Sequence, residues 1–183
     1  MEGSVSTDHR RPAAQSPARP AAAQRQPAAG PGATIRLARV EDAAAVAGAV
    51  RELLLELSGQ APPPQALERV ARAVIDDPGA GAVLVAAEEE RIVGVLTASW
   101  QLAIHVPGRY ALIQDLWVAR ERRSAAIGRA LLLALFDLAL EREIVRVEVG
   151  LPSERFAGLA ATARFYESNG FSQLGPRMRQ MLL

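Results

Sequence analysis

The chain of 183 residues contains no cysteine and no lysine. Without thiols there is no disulfide, no thiolate metal site and no cysteine nucleophile. Without lysine, all 21 basic residues are arginine. That excludes the Gly-Lys of a Walker phosphate loop and any Schiff-base chemistry. His9 and His105 are the only histidines, too few for a histidine-rich metal site. Aromatic residues are 4% of the chain against 50% hydrophobic, so the core is aliphatic. No apolar run reaches the roughly 18 residues of a membrane span, and the first residues lack the apolar core of a secretory signal. A cytoplasmic location is therefore expected. The net charge is +1, and residues 1–33 hold Arg10, Arg11, Arg19 and Arg25 against Glu2 and Asp8. The rest is close to neutral, which is not the field of a nucleic-acid binder. Neither nucleic acid nor a membrane is an expected partner.

Residues 1–33 are Ala, Pro, Gln, Arg, Ser and Gly with hardly a large apolar side chain. Such a segment cannot bury enough surface to offset ordering, and a disordered tail is expected there, with one folded domain over 34–183. Periodicity then predicts a strand over 34–38, a helix from Glu41 to Leu57, a Pro-rich link and a helix over 65–76. An apolar strand over 82–87, an acidic turn at Glu88-Glu89-Glu90, and strands over 92–102 and 110–118 follow. Gly94 marks a bulge or a close-packing point. A mostly apolar helix over 128–142, a strand over 144–149, a short helix over 159–168 stopped by Asn169-Gly170, and strands over 171–174 and 177–182 complete the chain. A helix between the strands ending at 118 and 149 makes that pair parallel.

Between the strand ending at Val118 and the helix starting near Gly128 lie arginines and then only small residues, Ser124, Ala125, Ala126 and Gly128. Backbone N–H groups at a helix start have no intrahelical partner and carry partial positive charge. Small side chains let an anion approach them, so the residues read as a phosphate-binding turn.

The run Arg123-Ser124-Ala125-Ala126-Ile127-Gly128 resembles the Arg/Gln-x-x-Gly-x-Gly/Ala loop of the GNAT superfamily of acyl-CoA-dependent N-acetyltransferases. Ala126 stands where the family has its first Gly. Tyr166-Glu167-Ser168-Asn169-Gly170-Phe171 is similar to the family's Tyr-Glu-x-x-Gly-Phe signature, and Gln114-Asp115-Leu116-Trp117-Val118 is similar to its fourth strand. The resemblance spans about residues 34–183. It implies an α+β fold with one mixed, mostly antiparallel sheet, in the order β1-α1-α2-β2-β3-β4-α3-β5-α4-β6-β7, splayed between the fourth and fifth strands.

The resemblance also implies acetyl-CoA as cosubstrate, no metal, and a primary amine acceptor, either a small molecule or a peptide or protein amine. The diphosphate would lie on Arg123, Ser124, Ala125, Ala126, Ile127, Gly128 and Arg129, and the pantetheine along the backbone of Leu116, Trp117 and Val118. In relatives the Tyr matching Tyr166 protonates the departing thiolate; its alternative here is a core residue. The Glu that some relatives use as base is replaced by Leu112, and a frequent Asn by Leu159. Asp115 is the first choice of base, ahead of Glu148 and His105. A homodimer is left open. The competing reading is a CoA-binding or regulatory module that keeps the fold without turnover. A dinucleotide-binding domain is excluded because the Gly-x-Gly-x-x-Gly spacing is missing.

Overall fold

The computed structural model describes residues 32–175, 178, 180 and 181; the expected tail, up to residue 31, lies outside them. Among the described residues one five-stranded sheet carries the fold, in the order β1-β2-β3-β4-β5. β1 (Thr34–Leu37), β2 (Gly81–Glu88), β3 (Arg91–Ala103) and β4 (Gly108–Val118) are antiparallel neighbours, and β5 (Val147–Val149) lies parallel to β4. α1 (Ala43–Ser58) and α2 (Pro64–Asp76) join β1 to β2; α3 (Ile127–Glu141) crosses from β4 to β5, and α4 (Leu159–Ser168) follows.

Local chemistry sets these boundaries. α1 ends at Gly59, whose left-handed backbone (φ 72°) lets its N–H close on the Leu55 carbonyl at 2.9 Å. Pro64 opens α2 at the first helical position, where its missing N–H costs nothing. Glu89, at φ 53°, turns the β2–β3 hairpin. β2 is buried almost throughout, as is the centre of β3, so both read as continuous apolar runs.

The helices cover opposite faces. A Cβ added to Gly94 would sit 2.9 Å from Ile127 Cγ2 and 3.1 Å from Leu131 Cδ1, so Gly94 faces α3. Val118, its partner in the ladder, faces the same way. Trp117, one residue earlier, therefore points to the other face, where it lines a cleft with Glu52, Leu55 and Glu56 of α1. Gly94 is also next to a bulge: Ala86 pairs with Gly94 and Ala87 with Ile92, which leaves Val93 as the extra residue.

A second bulge matters more. Thr97 pairs with Asp115 and Ala98 with Ile113, so Gln114 is the extra residue in β4. Pairing of β4 with β5 runs from Ala111↔Val147 to Ile113↔Val149 and stops there. From Gln114 onward β4 has no strand beside it on that edge among the described residues. This is the splay that the family resemblance implies.

The end of the chain differs from expectation. Residues 171–174 form no strand, and the 177–182 strand lies largely outside the described residues. Phe171 is drawn inward: its ring packs against Tyr166 (centroids 5.2 Å apart) and Phe136 (6.0 Å). Its N–H closes on the Tyr166 carbonyl at 3.1 Å. The residue that would start a ladder instead finishes α4. β5 is also shorter than expected, because Ile144 is used to close α3 through the Ala139 carbonyl at 2.9 Å.

Close packing at Gly94 is testable. Gly94→Val should cost about 1–3 kcal/mol through overpacking, read as a lower denaturant midpoint at unchanged slope.

Candidate active site

The loop after β4 makes a short 3-10 turn (Arg120–Arg122) before α3 begins. Two non-glycine residues in it take left-handed backbone, Ser124 at φ 74° and Ala126 at φ 60°. The first bond of α3 runs from the Ala130 N–H to the Ala126 carbonyl at 2.9 Å. The N–H groups of Ile127, Gly128 and Arg129 precede it, without an intrahelical acceptor. Ser124 and Ala126 N–H have no acceptor among the described residues either. Ser124, Ala126 and Arg129 are exposed. The result is a cluster of N–H donors at the positive end of a helix dipole, on alternating backbone of the kind that forms anion nests.

Gly128 serves packing. A Cβ there would lie 3.2 Å from Phe165 Cζ and 3.8 Å from Val118 Cγ2, so this glycine lets α3 sit against α4 and β4. Ala126 replaces the expected glycine yet keeps the left-handed turn. That conformation costs a non-glycine residue about 1–2 kcal/mol.

The arginines are disposed unequally. Arg123 donates from Nη1 and Nη2 to the two carboxylate oxygens of Glu56 on α1, at 2.9 and 2.6 Å, and from Nε to the Val118 carbonyl at 3.1 Å. The pair holds the Glu56 carboxyl below its ordinary range and raises the Arg123 guanidinium. Arg122 pairs with Glu88 at the hairpin turn. Arg129 is exposed at the first turn of α3 and makes no ion pair among the described residues.

Asp115 lies near enough to Tyr166 for its charge to act on the phenol. Asp115 shares the α1-facing side of β4 with Trp117. Burial pushes its carboxyl up, against the opposing pull of a Thr97 Oγ1 donor at 2.6 Å from Oδ2. Tyr166 is buried to 7% exposure, edge-on to Phe165 and Phe171. Burial first, and then the charge of Asp115, push its phenol up to about 12. Its hydroxyl makes no hydrogen bond among the described residues, and it is not among their sealed unpaired polar atoms. A buried ring with an open hydroxyl is a protonated donor without a protein acceptor.

The other candidates stand apart. Glu148 accepts a 2.7 Å bond from Arg146 Nε and is tied into that pair. His105 sits in the exposed β3–β4 turn with only an edge contact to the Tyr110 ring, centroids 6.4 Å apart. Leu112 is in the core, and Leu159 opens α4 half-buried. Leu116 and Val118 are half-buried and Trp117 buried, at the edge of β4 that lacks a strand neighbour. A wider hollow at the β2–β3 turn, lined by Gly32, Glu88, Glu89, Arg91 and Arg122, includes none of these groups. No group of acids or histidines able to hold a metal occurs among the described residues.

A family model described as an acetyltransferase (GNAT) domain matches residues 79–173. The chain belongs to the GNAT acetyltransferase family. The match covers the β2–β4 meander, the loop, α3 and the Tyr166–Phe171 turn. Solved structures repeat the whole architecture. A possible acetyltransferase from Clostridium difficile 630 is 21% identical with a TM-score of 0.70, over 82% of this chain and 97% of that one. A transcriptional regulator from Bacillus halodurans C-125 is 22% identical with a TM-score of 0.70, over 82% and 99%. A ribosomal-protein-alanine N-acetyltransferase from Brucella melitensis biovar Abortus 2308 is 19% identical with a TM-score of 0.65, over 82% and 99%. At these identities the likeness speaks for the fold alone. No curated protein sequence matches the chain significantly.

Sequence reasoning missed Thr97 and Glu56. A hydroxyl in an apolar strand and a glutamate on a helix carry no motif, and only the fold puts each beside its partner.

The strained loop of this GNAT domain has a direct test. Ala126→Gly should raise stability by about 0.5–1 kcal/mol, the relief of left-handed strain less the added freedom of the unfolded chain. Denaturant melts of the two proteins measure it.

Proposed function

We propose that the protein is an acyl-CoA-dependent N-acyltransferase that moves acetyl from acetyl-CoA to a primary amine by direct attack in a ternary complex. The observation that carries this reading is the length of β4 with no strand on its outer edge among the described residues, one loop away from a cluster of N–H donors, with Asp115 near enough to Tyr166 for its charge to act on the phenol. Family membership supports the donor. The chemistry of the loop supports the diphosphate, which the N–H groups of Ser124 and Ala126–Arg129 would bind with Arg129 beside them. Arg123 would reach phosphate only by leaving Glu56, so the backbone is the main ligand. The pantetheine arm would lie against Leu116, Trp117 and Val118 and take up the hydrogen bonds that β5 leaves unmade.

The steps balance with the groups present. An ammonium acceptor first gives one proton to the Asp115 carboxylate. The free amine attacks the thioester carbon and forms the C–N bond; the C–S bond then breaks. Tyr166 gives its proton to the departing thiolate, and the amide nitrogen sheds its second proton. Asp115 returns its proton to the Tyr166 phenolate, so one proton is released to solvent per turnover. A raised carboxyl suits the base, because a poised pKa takes the proton from nitrogen more readily than an ordinary carboxylate does. Tyr166, at about 12, stays protonated across the neutral range.

The acceptor would enter from the α1 side, where Glu52, Glu56, Trp117 and Arg120 line a cleft on the face of β4 that Asp115 shares.

Release of CoA from acetyl-CoA across a panel of primary amines, with the acetylated product identified by mass, tests the activity. CoA binding without release from any amine would favour the non-catalytic module. Tyr166→Phe should lower the chemical step at least about 100-fold; unchanged turnover would refute its role as acid.

Asp115→Asn separates activity from stability. A carboxyl whose folded pKa is raised stabilises the fold only while protonated, and that contribution is lost as pH rises through the folded value. Asp115→Asn should therefore abolish turnover, yet raise the thermal midpoint at about pH 7 and leave it little changed below about pH 4.

A further inference from the structure

Asp115 is not held by a charge. Among the described residues its one hydrogen-bond donor is the Thr97 hydroxyl, 2.6 Å from Oδ2, and Oδ1 has no protein partner. The Gln114 bulge creates this contact. With one extra residue in β4, Thr97 stands opposite Asp115 in the ladder, with both side chains on the α1-facing side. A one-residue change in register would turn Asp115 to the other face.

We propose that Thr97 is a positioning residue for the acetyl transfer: its hydroxyl fixes one oxygen of Asp115 and leaves the other as the one able to take the acceptor's proton. This rests on the reading of Asp115 as base. Thr97 suits the task because its β-branch limits rotation at Cβ, so the hydroxyl stays aimed across the strand pair. A hydroxyl has a single proton to give, and giving it to Oδ2 favours the ionised carboxyl without neutralising it. A charged partner would have done both and spoiled the base.

The charged groups around Asp115 leave this contact in control. From α4, Tyr166 lies within reach of its charge and is neutral over the working range. From α1, Glu52 and Glu56 line the neighbouring cleft with Arg120 and Arg123, and Glu56 is already bound to Arg123. From β5, Glu148 is bound to Arg146. None of these adds to burial and Thr97 in setting the Asp115 carboxyl.

The test uses the full chain and does not depend on the acceptor. The Asp115 carboxyl carbon is followed by NMR through a pH titration in wild type, Thr97→Val and Thr97→Ser. Loss of a hydrogen bond to a charged group should raise the midpoint by about one pH unit in Thr97→Val, and Thr97→Ser should restore it. A midpoint that stays in place in Thr97→Val, or one that moves equally in both variants, overturns the proposal. If Thr97→Val does not fold, Thr97→Ser against Thr97→Ala makes the same comparison. Turnover with whichever panel amine releases most CoA adds the link to chemistry: the acid limb of its pH profile should move with the NMR midpoint. If Asp115→Asn keeps full turnover, the base reading fails, and Thr97 loses its role in the reaction even where the midpoint shifts.

Discussion

Gln114, the extra residue in β4, is the constraint on which the rest of the site depends. It sits where the β4–β5 ladder ends, after Ile113↔Val149, and from there to Val118 that edge of β4 has no strand beside it among the described residues. It brings Thr97 opposite Asp115, which by strand alternation shares a face with Trp117. A bulge bends its strand and strengthens the local twist. Beyond the bulge, Asp115 lies near enough to Tyr166 for its charge to raise the phenol. The inserted residue thus sits where the strand edge opens and where Thr97 meets the Asp115 carboxyl.

The loop to α3 shows the opposite economy. It retains a left-handed turn at Ala126 that glycine would take without strain, and Ser124 adds a second. Strain of this kind persists where surrounding contacts over-determine the backbone. Those contacts are visible: Gly128 lies flush against Phe165 and Val118, and Ile127 is buried beneath Gly94. Arg123, bound to Glu56, links the same loop to α1. The donor cluster is therefore clamped on both sides of the sheet before any anion arrives.

Much of the fold was legible because it rests on local pattern. The apolar runs of β2 and β3, the Asn169-Gly170 stop and the small-residue loop announce themselves within a few residues. The Gln114 bulge was not legible from residues, since glutamine in a strand looks ordinary; only the family resemblance suggested a splay. Thr97–Asp115 and Arg123–Glu56 join residues far apart in the chain, and each member looks generic alone. The 171–174 segment misled because it begins with an apolar residue in strand-like surroundings. Phe171 packs against Tyr166 and Phe136 instead of entering a ladder, so tertiary packing overrode the local signal. Ala126 kept its turn against its own propensity for the same reason.

The central claim is that free N–H groups of the loop and the open edge of β4 together hold acyl-CoA. Amide NMR of the full chain during a titration with acetyl-CoA tests it most directly. Saturable one-to-one binding is expected, with the amides of Ser124, Ala126–Arg129 and Leu116–Val118 shifting furthest. Absence of binding, or shifts centred on another surface while these amides stay still, would contradict it.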